Sequence, residues 1–507
     1  MFPTLSFGDQ EITPPDLSIG SAKAADVLAS IGIAEGDTFA VMLRNSPTLI
    51  EIMLAARQIG AYFVPLNWHF KANEAGYILR DSGAKALVIN SDLLAQICKG
   101  IPPGMLLLEV KPDSGADVQR DSGITSLRNI DWYARWTQAK PLTKVSDRPR
   151  GMIAYTSGTT GLPKGDRRVP PRPEEVTVGA ERMARMFQAG LGIKPDARCL
   201  VSAPLYHSAP ASYVAFASLC SAWLRVEPRF DAEATLATIE RYKISHAYLV
   251  PTMFVRLLRL PPKVRTRYDL SSLQFVVSTG APCAPNIKRA MIEWFGDVIY
   301  ETYAASELGY LTSISSKEAR ARPGSAGRPI EGVTIRILDD QCRDVPVGTI
   351  GKIYARQTLA TEFTYINREQ ERDAIEQEGF LTVGDIGYVD ADGYLYVTDR
   401  RNDLVLSGGV NIYPAEIEAQ IIEMAGVADC AVFGIPDPEF GQSLIAAVQP
   451  SGDVALTPEG VQAFLSERLA NFKIPRVIEF MDVLPREETG KIFKRNLRDE
   501  YIARRDS

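Results

Sequence analysis

The segment from Tyr155 to Gly165 combines glycines, hydroxyl side chains and one lysine in the order YTSGTTGLPKG. The apolar run Gly151–Tyr155 predicts a strand that leads into it. Glycines allow backbone conformations in which several N–H groups converge on one anion, and Lys164 adds a cation suited to phosphate. A mobile linker would need neither the strand nor the lysine, so we predict a phosphate-binding loop. Its predicted contacts are Thr156, Ser157, Gly158, Thr159, Thr160 and Lys164.

The lysine of this loop differs in position from the lysine of the P-loop. In kinases and common NTPases the P-loop lysine is followed by Ser or Thr. Here Lys164 is followed by Gly165 and Asp166. The sequence therefore predicts phosphate binding of another kind.

Further segments carry polar residues and glycines in an order that is informative as a set. They are YAASE at 303–307, TVGD at 382–385, DRRND at 399–403, SGGVNIYPAE at 407–416, and PR, GKI and KR within 485–495. Together with the loop, they resemble the motifs of the adenylate-forming superfamily in order and approximate spacing. This superfamily includes acyl-CoA synthetases, peptide-synthetase adenylation domains and luciferases. The chain resembles its acyl-CoA synthetase branch, the AMP-dependent CoA ligases, over most of its length.

The resemblance implies an AMP-forming acid–thiol ligase. Such an enzyme uses ATP to convert a carboxylic acid to acyl-AMP, releases pyrophosphate, and then forms a thioester with coenzyme A. The in-line attack on the α-phosphorus builds charge on phosphate oxygens, so the site needs cations and hydrogen-bond donors. Substrates and cofactor would be an acid, ATP, coenzyme A and Mg²⁺.

The resemblance also assigns roles to residues. Lys491 would contact the α-phosphate and the carboxylate, Glu307 and Thr160 would hold Mg²⁺ through hard oxygen ligands, and His207 would border the acid. The predicted nucleotide contacts outside the loop are Gly280, Ala281, Pro282, Tyr303, Ser306, Asp385 and Arg400. On the coenzyme A side they are Ser407, Gly408, Gly409 and Phe440, with Lys473 and Arg476 near its phosphates.

The elements that must position these residues alternate between short apolar runs and helical patterns. The strands predicted from such runs include Ala86–Asn90 and Val333–Leu338. This alternation is typical of an α/β fold with parallel sheet. Glycine-punctuated strands from Glu331 to Val397 predict a small β-rich, barrel-like unit that ends a large layered domain. We place the large domain at residues 1–401 and a small, mobile α+β domain at 402–507, with a hinge near Asn402.

Composition excludes several classes of protein. The chain has 507 residues, of which 46% are hydrophobic and 23% charged, and a formal net charge of -6. No nucleic-acid partner is expected, because phosphate-tracking surfaces need clustered excess Lys and Arg. The scattered cysteines predict free thiols. Neither a secretory signal nor a membrane span is evident, so we predict a cytoplasmic enzyme, and by analogy a possible homodimer.

The sequence predicts less about the acid pocket than about the nucleotide site. Four residues, Ala304, Ala305, Gly309 and Tyr213, predict a roomy apolar cleft. No buried cation for a second carboxylate and no Asp for an α-ammonium is evident. The sequence thus favours an apolar monocarboxylic acid, either fatty, aryl or alicyclic.

Asp166-Arg167-Arg168 departs from the superfamily, where many members have a hydrophobic residue after the loop. Asp166 is expected to pair with one of the two arginines or to face solvent. Three alternatives for function stay open. They are a freestanding enzyme that loads a carrier protein, a kinase or ATPase that forms ADP, and a non-catalytic nucleotide-binding relative.

Overall fold

The computed structural model describes residues 2–111, 128–156, 163–281, 283–400, 403–407, 410–438, 440–452, 454–486, 492 and 494–506. Across these ranges, none of the helices has the length and apolar character that crossing a membrane requires. The predicted hinge residue, Asn402, lies outside the described residues.

The strands are β1 (Thr4–Phe7), β2 (Gln10–Ile12), β3 (Thr38–Met42), β4 (Tyr62–Pro65), β5 (Ala86–Asn90), β6 (Leu106–Val110), β7 (Arg128–Asp131), β8 (Ala154–Thr156), β9 (Lys164–Arg168), β10 (Arg198–Val201), β11 (Trp223–Val226), β12 (His246–Tyr248), β13 (Phe275–Ser278), β14 (Ile299–Ala305), β15 (Gly309–Ser315), β16 (Arg328–Pro329), β17 (Val333–Leu338), β18 (Gly351–Gln357), β19 (Phe363–Tyr365), β20 (Glu376–Gln377), β21 (Phe380–Leu381), β22 (Asp385–Val389), β23 (Leu395–Arg400), β24 (Val405–Ser407), β25 (Val410–Ile412), β26 (Val427–Asp437), β27 (Gly441–Pro450) and β28 (Val477–Phe480).

The α-helices are α1 (Pro14–Ser30), α2 (Pro47–Ile59), α3 (Ala72–Asp81), α4 (Leu94–Ile97), α5 (Trp132–Gln138), α6 (Val176–Leu191), α7 (Ser208–Cys220), α8 (Ala232–Tyr242), α9 (Pro251–Leu258), α10 (Pro262–Arg265), α11 (Pro285–Phe295), α12 (Ser316–Ala321), α13 (Glu369–Asp373), α14 (Pro414–Ile421), α15 (Pro458–Ser466) and α16 (Lys494–Asp506).

The sheet of β3 to β7 is parallel, in the order β4-β3-β5-β6-β7. Every residue of β3 and β5 is buried, as expected for apolar strands covered on both faces. Helix α2 begins after Ser46, whose side chain accepts a hydrogen bond from the Leu49 N–H. It ends at Gly60, which has φ 67° and so suits a residue without a β-carbon.

A larger sheet has the order β16-β15-β14-β13-β12-β10-β11-β1-β2. Its centre, from β1 to β14, is parallel, and β15 returns antiparallel to β14. The carboxyl end of β14 carries Tyr303 and leads directly to Ser306 and Glu307. In open α/β sheets this edge is where ligands bind.

Two smaller sheets complete the large domain. Strands β8, β9 and β19 form an antiparallel sheet, with β9 in the centre. The expected β-rich unit follows, in the order β20-β21-β18-β22-β23, and β17 pairs with β18. Strands β5 and β17 have their predicted bounds, whereas the strand predicted at Gly151–Tyr155 begins only at Ala154.

The C-terminal residues form an α+β unit with its own core. Strands β26 and β27 are antiparallel and β28 runs parallel to β27. One face packs against α14 and α15 around Ile417, Val432 and Leu465. The other face packs around Phe433, Leu484 and further apolar residues that include Leu497 of α16. The α/β fold class with a smaller second unit is confirmed.

Candidate nucleotide and acid site

The predicted phosphate loop connects two antiparallel strands. Thr156 at the end of β8 pairs with Lys164 at the start of β9, so β8 and β9 are the two strands of a hairpin and the ends of the loop lie side by side. Thr156 and Lys164 both line a cleft of about 2910 Å³. Four predicted contacts, Ser157, Gly158, Thr159 and Thr160, lie outside the described residues.

A hydrogen-bond network contacts the described residues on both sides of the loop, Tyr155 and Pro163. The Tyr77 hydroxyl donates to the Pro163 carbonyl at 2.9 Å, and the Tyr155 hydroxyl donates to Asp81 at 2.8 Å. Arg368 links these two hydrogen bonds, because its guanidinium donates to the Tyr77 hydroxyl at 2.5 Å and to the Asp81 carboxylate at 3.3 Å. Tyr77, Asp81 and Arg368 stand in no motif, so the sequence did not predict their role.

Gly165 has a packing role as well as a conformational one. A β-carbon at this position would lie 2.8 Å from Cζ of Tyr155, far inside van der Waals contact. The glycine therefore lets the Tyr155 ring cross the hairpin and reach Asp81 on α3.

Lys164 is buried and forms an ion pair with Glu371 of α13. Its ammonium nitrogen also lies 5.3 Å from the centre of the Tyr365 ring. A phosphate that binds Lys164 would share its ammonium group with the Glu371 carboxylate or replace that carboxylate. Glu371 also stands in no motif, so the sequence did not predict its contact with Lys164.

Glu307 lies in the cleft beside the hairpin. The Tyr365 hydroxyl donates to its Oε1 at 2.9 Å, and Tyr365 pairs in register with Asp166 across β19 and β9. Glu307, Tyr365 and Asp166 thus form one cluster of oxygen-bearing side chains next to Lys164.

Asp166 corrects one expectation from the sequence. It is only 4% exposed, so it does not face solvent, and it makes no ion pair within 4 Å among the described residues. Burial raises the pKa of the Asp166 carboxyl to about 7, an effect that Arg168 opposes and Glu307 strengthens. The Arg168 guanidinium instead donates to the Thr361 carbonyl at 2.9 Å and to the Ser306 carbonyl.

The cluster suits a hard divalent cation such as Mg²⁺, which prefers carboxylate oxygens. Oδ1 of Asp166 is buried without a hydrogen-bond partner, and Glu307 uses Oε1 for Tyr365. Within the described ranges, no group of three or more His, Cys, Asp or Glu side chains is arranged to hold a metal by itself. A bound cation would therefore need oxygens from a phosphate or from water, as Mg²⁺ sites usually have.

The predicted nucleotide contacts outside the loop converge from two sheets. The Tyr303 hydroxyl on β14 donates to the Asp385 carboxylate on β22 at 2.5 Å. Asp385 also pairs in register with Arg400, whose side chain is not described. Gly280, with φ 92°, and Ala281 line the same cleft, whereas Pro282 lies outside the described residues.

His207 immediately precedes α7 and lines the cleft, with its ring 4.3 Å from that of Tyr206. The next residue, Ser208, lies 3.1 Å from Ser306 between their hydroxyl oxygens. His207 and Ser306 therefore lie on facing elements at one end of the cleft.

The wall beyond His207 is apolar. Helices α6 and α7 contribute Met183, Phe187 and Phe216, and the Phe187 and Phe216 rings stack at 5.3 Å. Ala304, Ala305 and Gly309 line it as expected. Tyr213 does not, since it is fully buried against Tyr248.

The small C-terminal unit lines another side of the cleft through Glu416 and Lys473, whereas the predicted coenzyme A contacts Ser407 and Phe440 do not line it. Ser407 ends β24, and the Arg476 guanidinium lies 4.3 Å from the centre of the Phe440 ring. Lys473 pairs with Glu416 at 2.6 Å. Gly408, Gly409 and Lys491, which the sequence analysis placed in the site, lie outside the described residues.

The chain is similar to known proteins in sequence and in structure. The AMP-binding enzyme model matches residues 2–362, and the AMP-binding enzyme C-terminal domain model matches residues 416–491. The long-chain-fatty-acid–CoA ligase FadD13 of Mycobacterium tuberculosis is 30% identical, over 98% of this chain and 94% of its own.

A second relative from Mycobacterium tuberculosis is a 3-[(3aS,4S,7aS)-7a-methyl-1,5-dioxo-octahydro-1H-inden-4-yl]propanoyl:CoA ligase. It is 32% identical, over 97% of this chain and 94% of its own. Among solved structures, o-succinylbenzoate CoA synthetase of Bacillus subtilis, in complex with the acyl-adenylate intermediate OSB-AMP, superimposes with a TM-score of 0.81. It is 26% identical and the match covers 98% of this chain and 95% of that one.

Proposed function

This chain belongs to the AMP-binding enzyme family and is an ATP-dependent acid–CoA ligase, and we propose that its acid is an apolar monocarboxylic acid. Fatty, aryl and alicyclic acids are the candidates. The observation that carries the proposal is the apolar wall of Met183, Phe187 and Phe216, which adjoins the polar cluster around Glu307 within one cleft. The relatives that act on a long-chain fatty acid and on a bicyclic propanoic acid support it.

The reaction has two steps. A carboxylate oxygen attacks the α-phosphorus of ATP, and the bond to pyrophosphate breaks to leave acyl-AMP. The thiol sulfur of coenzyme A then attacks the acyl carbonyl, loses its proton, and AMP leaves as the thioester forms. Both steps need donors and cations aimed at oxygens that gain charge.

We assign the nucleotide contacts as follows. Lys164 would exchange Glu371 for ATP phosphates, and Glu307, with Thr160, would hold Mg²⁺ against those phosphates. Asp385, oriented by Tyr303, would accept hydrogen bonds from the ribose hydroxyls. Mg²⁺ would supply electrostatic stabilisation of phosphate charge when bound.

The remaining assignments rest on the sequence motifs. Lys491 would contact the α-phosphate, His207 would border the acid, and Ser407 and Phe440 would face coenzyme A. The division at residues 401 and 402, the cytoplasmic location, a role in fatty acid metabolism and a homodimer stay predictions.

A panel of carboxylic acids tests the proposal. Straight-chain, arylpropenoic, alicyclic, dicarboxylic and amino acids are each incubated with ATP, Mg²⁺ and coenzyme A, and AMP and acyl-CoA are measured. We expect the highest kcat/KM for an apolar monocarboxylate. A dicarboxylate or an amino acid as the best substrate would overturn it, and acyl-AMP that accumulates without thioester would favour a carrier protein as acceptor.

A further inference from the structure

Asp166 is a buried carboxyl group without a matching partner. It is 4% exposed, and its Oδ1 is buried with no hydrogen bond. Buried polar atoms in folded proteins nearly always have partners, and the exceptions often mark the place of an ion or a catalytic group. An unpaired carboxylate at this depth is unfavourable unless a ligand compensates for its charge.

Among the described residues, no cation of β9 forms an ion pair with it. Arg168 uses its guanidinium on the Thr361 and Ser306 carbonyls. Lys164, two residues earlier on the same face of β9, is paired with Glu371. The cationic groups next to Asp166 are therefore committed to other acceptors.

Strand pairing places Asp166 close to Glu307, the residue proposed to hold the cation. Asp166 pairs in register with Tyr365, and the Tyr365 hydroxyl contacts Glu307 at 2.9 Å. Both carboxyl groups line the cleft, as do Thr156 and Lys164 at the ends of the phosphate loop. Two carboxylates together attract a divalent cation more strongly than one.

We propose that Asp166 is a second carboxylate for the divalent cation that accompanies ATP, and shares that cation with Glu307. The inference rests on the proposed binding of ATP and Mg²⁺ at this cleft. The cation would then relieve two repulsions, one between the carboxylates and one between Asp166 and the phosphates. ATP binding should consequently depend on Mg²⁺ more strongly than a single carboxylate would require.

The variant Asp166→Asn keeps the side-chain shape and removes the charge. Binding of the non-cleavable analogue α,β-methylene-ATP is measured by calorimetry on the full-length protein, in EDTA and in excess Mg²⁺. In EDTA we expect the variant to bind the analogue more tightly than the parent, because one negative charge beside the phosphates is gone. The factor by which Mg²⁺ tightens binding should fall roughly tenfold or more.

A purely structural role for Asp166 predicts another pattern. Misplacement of the loop would weaken analogue binding by the same factor with and without Mg²⁺, and that result would overturn the proposal, as would an unchanged Mg²⁺ factor. Glu51→Gln is the matched control, because Glu51 is also a buried carboxyl but lies outside the cleft, and its Mg²⁺ factor should equal that of the parent. If Asp166→Asn unfolds, Asp166→Val removes the charge with an apolar side chain suited to burial, and the same loss is expected.

The outcome separates this inference from the proposed function. A parent enzyme that shows a large Mg²⁺ factor but forms no AMP with any acid contradicts the function alone. If the parent forms AMP, and Mg²⁺ tightens analogue binding to Asp166→Asn by the same factor as to the parent, only the inference is contradicted. A parent that does not bind the analogue contradicts both.

Discussion

The carboxyl groups of Glu51 and Asp166 are both buried, but they lie in different regions of the large domain. Glu51 lies in α2 among apolar residues of the α1–α2 layer and is 9% exposed, and Asp166 lies in β9 beside the cleft and is 4% exposed. Burial raises the pKa of each to about 7. Their neighbours differ, since a β-carbon on Gly20 would overlap the Glu51 carboxyl, whereas Asp166 has Glu307, Tyr365 and Lys164 around it.

The comparison shows that a raised pKa alone does not mark a functional site. Structural burial produces the same shift as a site does, so the shift is only a pointer. The surroundings decide, because Glu51 has helix packing around it and Asp166 has a cleft with a phosphate loop. Three substitutions test this distinction.

Glu307→Gln should have the largest effect. The amide keeps the shape but loses the charge that would hold the cation, so acid-dependent exchange of pyrophosphate into ATP should fall roughly 100-fold or more. Glu51→Gln, measured in parallel, should retain the parent rate. A Glu307→Gln enzyme within tenfold of the parent would remove Glu307 from the site.

Glu51→Gln should instead change how stability depends on pH. The carboxyl of Glu51 has an ordinary pKa of 4.5 in the unfolded chain and about 7 when folded, so the folded state binds more protons between these values. Its stabilising contribution is complete below pH 4.5 and is lost as the pH rises through 7, by about 3 kcal/mol at most.

Urea unfolding of the parent and of Glu51→Gln between pH 4.5 and 8 measures this effect. The free energy of unfolding of the variant should decline less steeply over that window. Equal slopes for the two proteins would show that Glu51 is ionised in the folded state and would break the comparison with Asp166.

Tyr365→Phe should have the smallest effect. It removes the hydrogen bond to Glu307 but keeps the ring beneath Lys164, so kcat/KM for acyl-AMP formation should fall several-fold, equivalent to about 1 kcal/mol. The thermal midpoint measured alongside should stay close to that of the parent. A loss as large as that of Glu307→Gln would mean that the hydroxyl contacts a substrate directly.

Much of the fold could be predicted from local pattern. The apolar runs at Ala86–Asn90 and Val333–Leu338 have the predicted bounds, because periodicity and burial agree there. The strand before the phosphate loop was predicted three residues too early, since its apolar residues also pack outside the sheet. Met152, for example, forms an isolated bridge with Phe63 of β4.

The candidate site could be predicted only where a motif marks it. Tyr303, Glu307 and Asp385 stand in motifs and meet in the cleft. Arg368 and Glu371 come from an ordinary charged segment some two hundred residues after the loop that they support. No local signal could reveal them, because their role depends on a contact between distant parts of the chain.

The sequence by itself determined the kind of chemistry. A Gly/Thr-rich loop with Lys164 supplies backbone N–H groups, hydroxyls and an ammonium group, and all of these bind phosphate. It also determined the α/β architecture, through alternating apolar runs and helical patterns. Only the tertiary structure decided whether the Asp166 carboxyl is buried and whether it forms an ion pair. Sequence allowed an ion pair with an arginine or exposure to solvent, but the sheet of β8, β9 and β19 buries its carboxyl while Arg168 turns to two carbonyls. Burial and hydrogen-bond partners depend on how distant parts of the chain pack together, so the surroundings of the Asp166 carboxyl could not be predicted from the sequence.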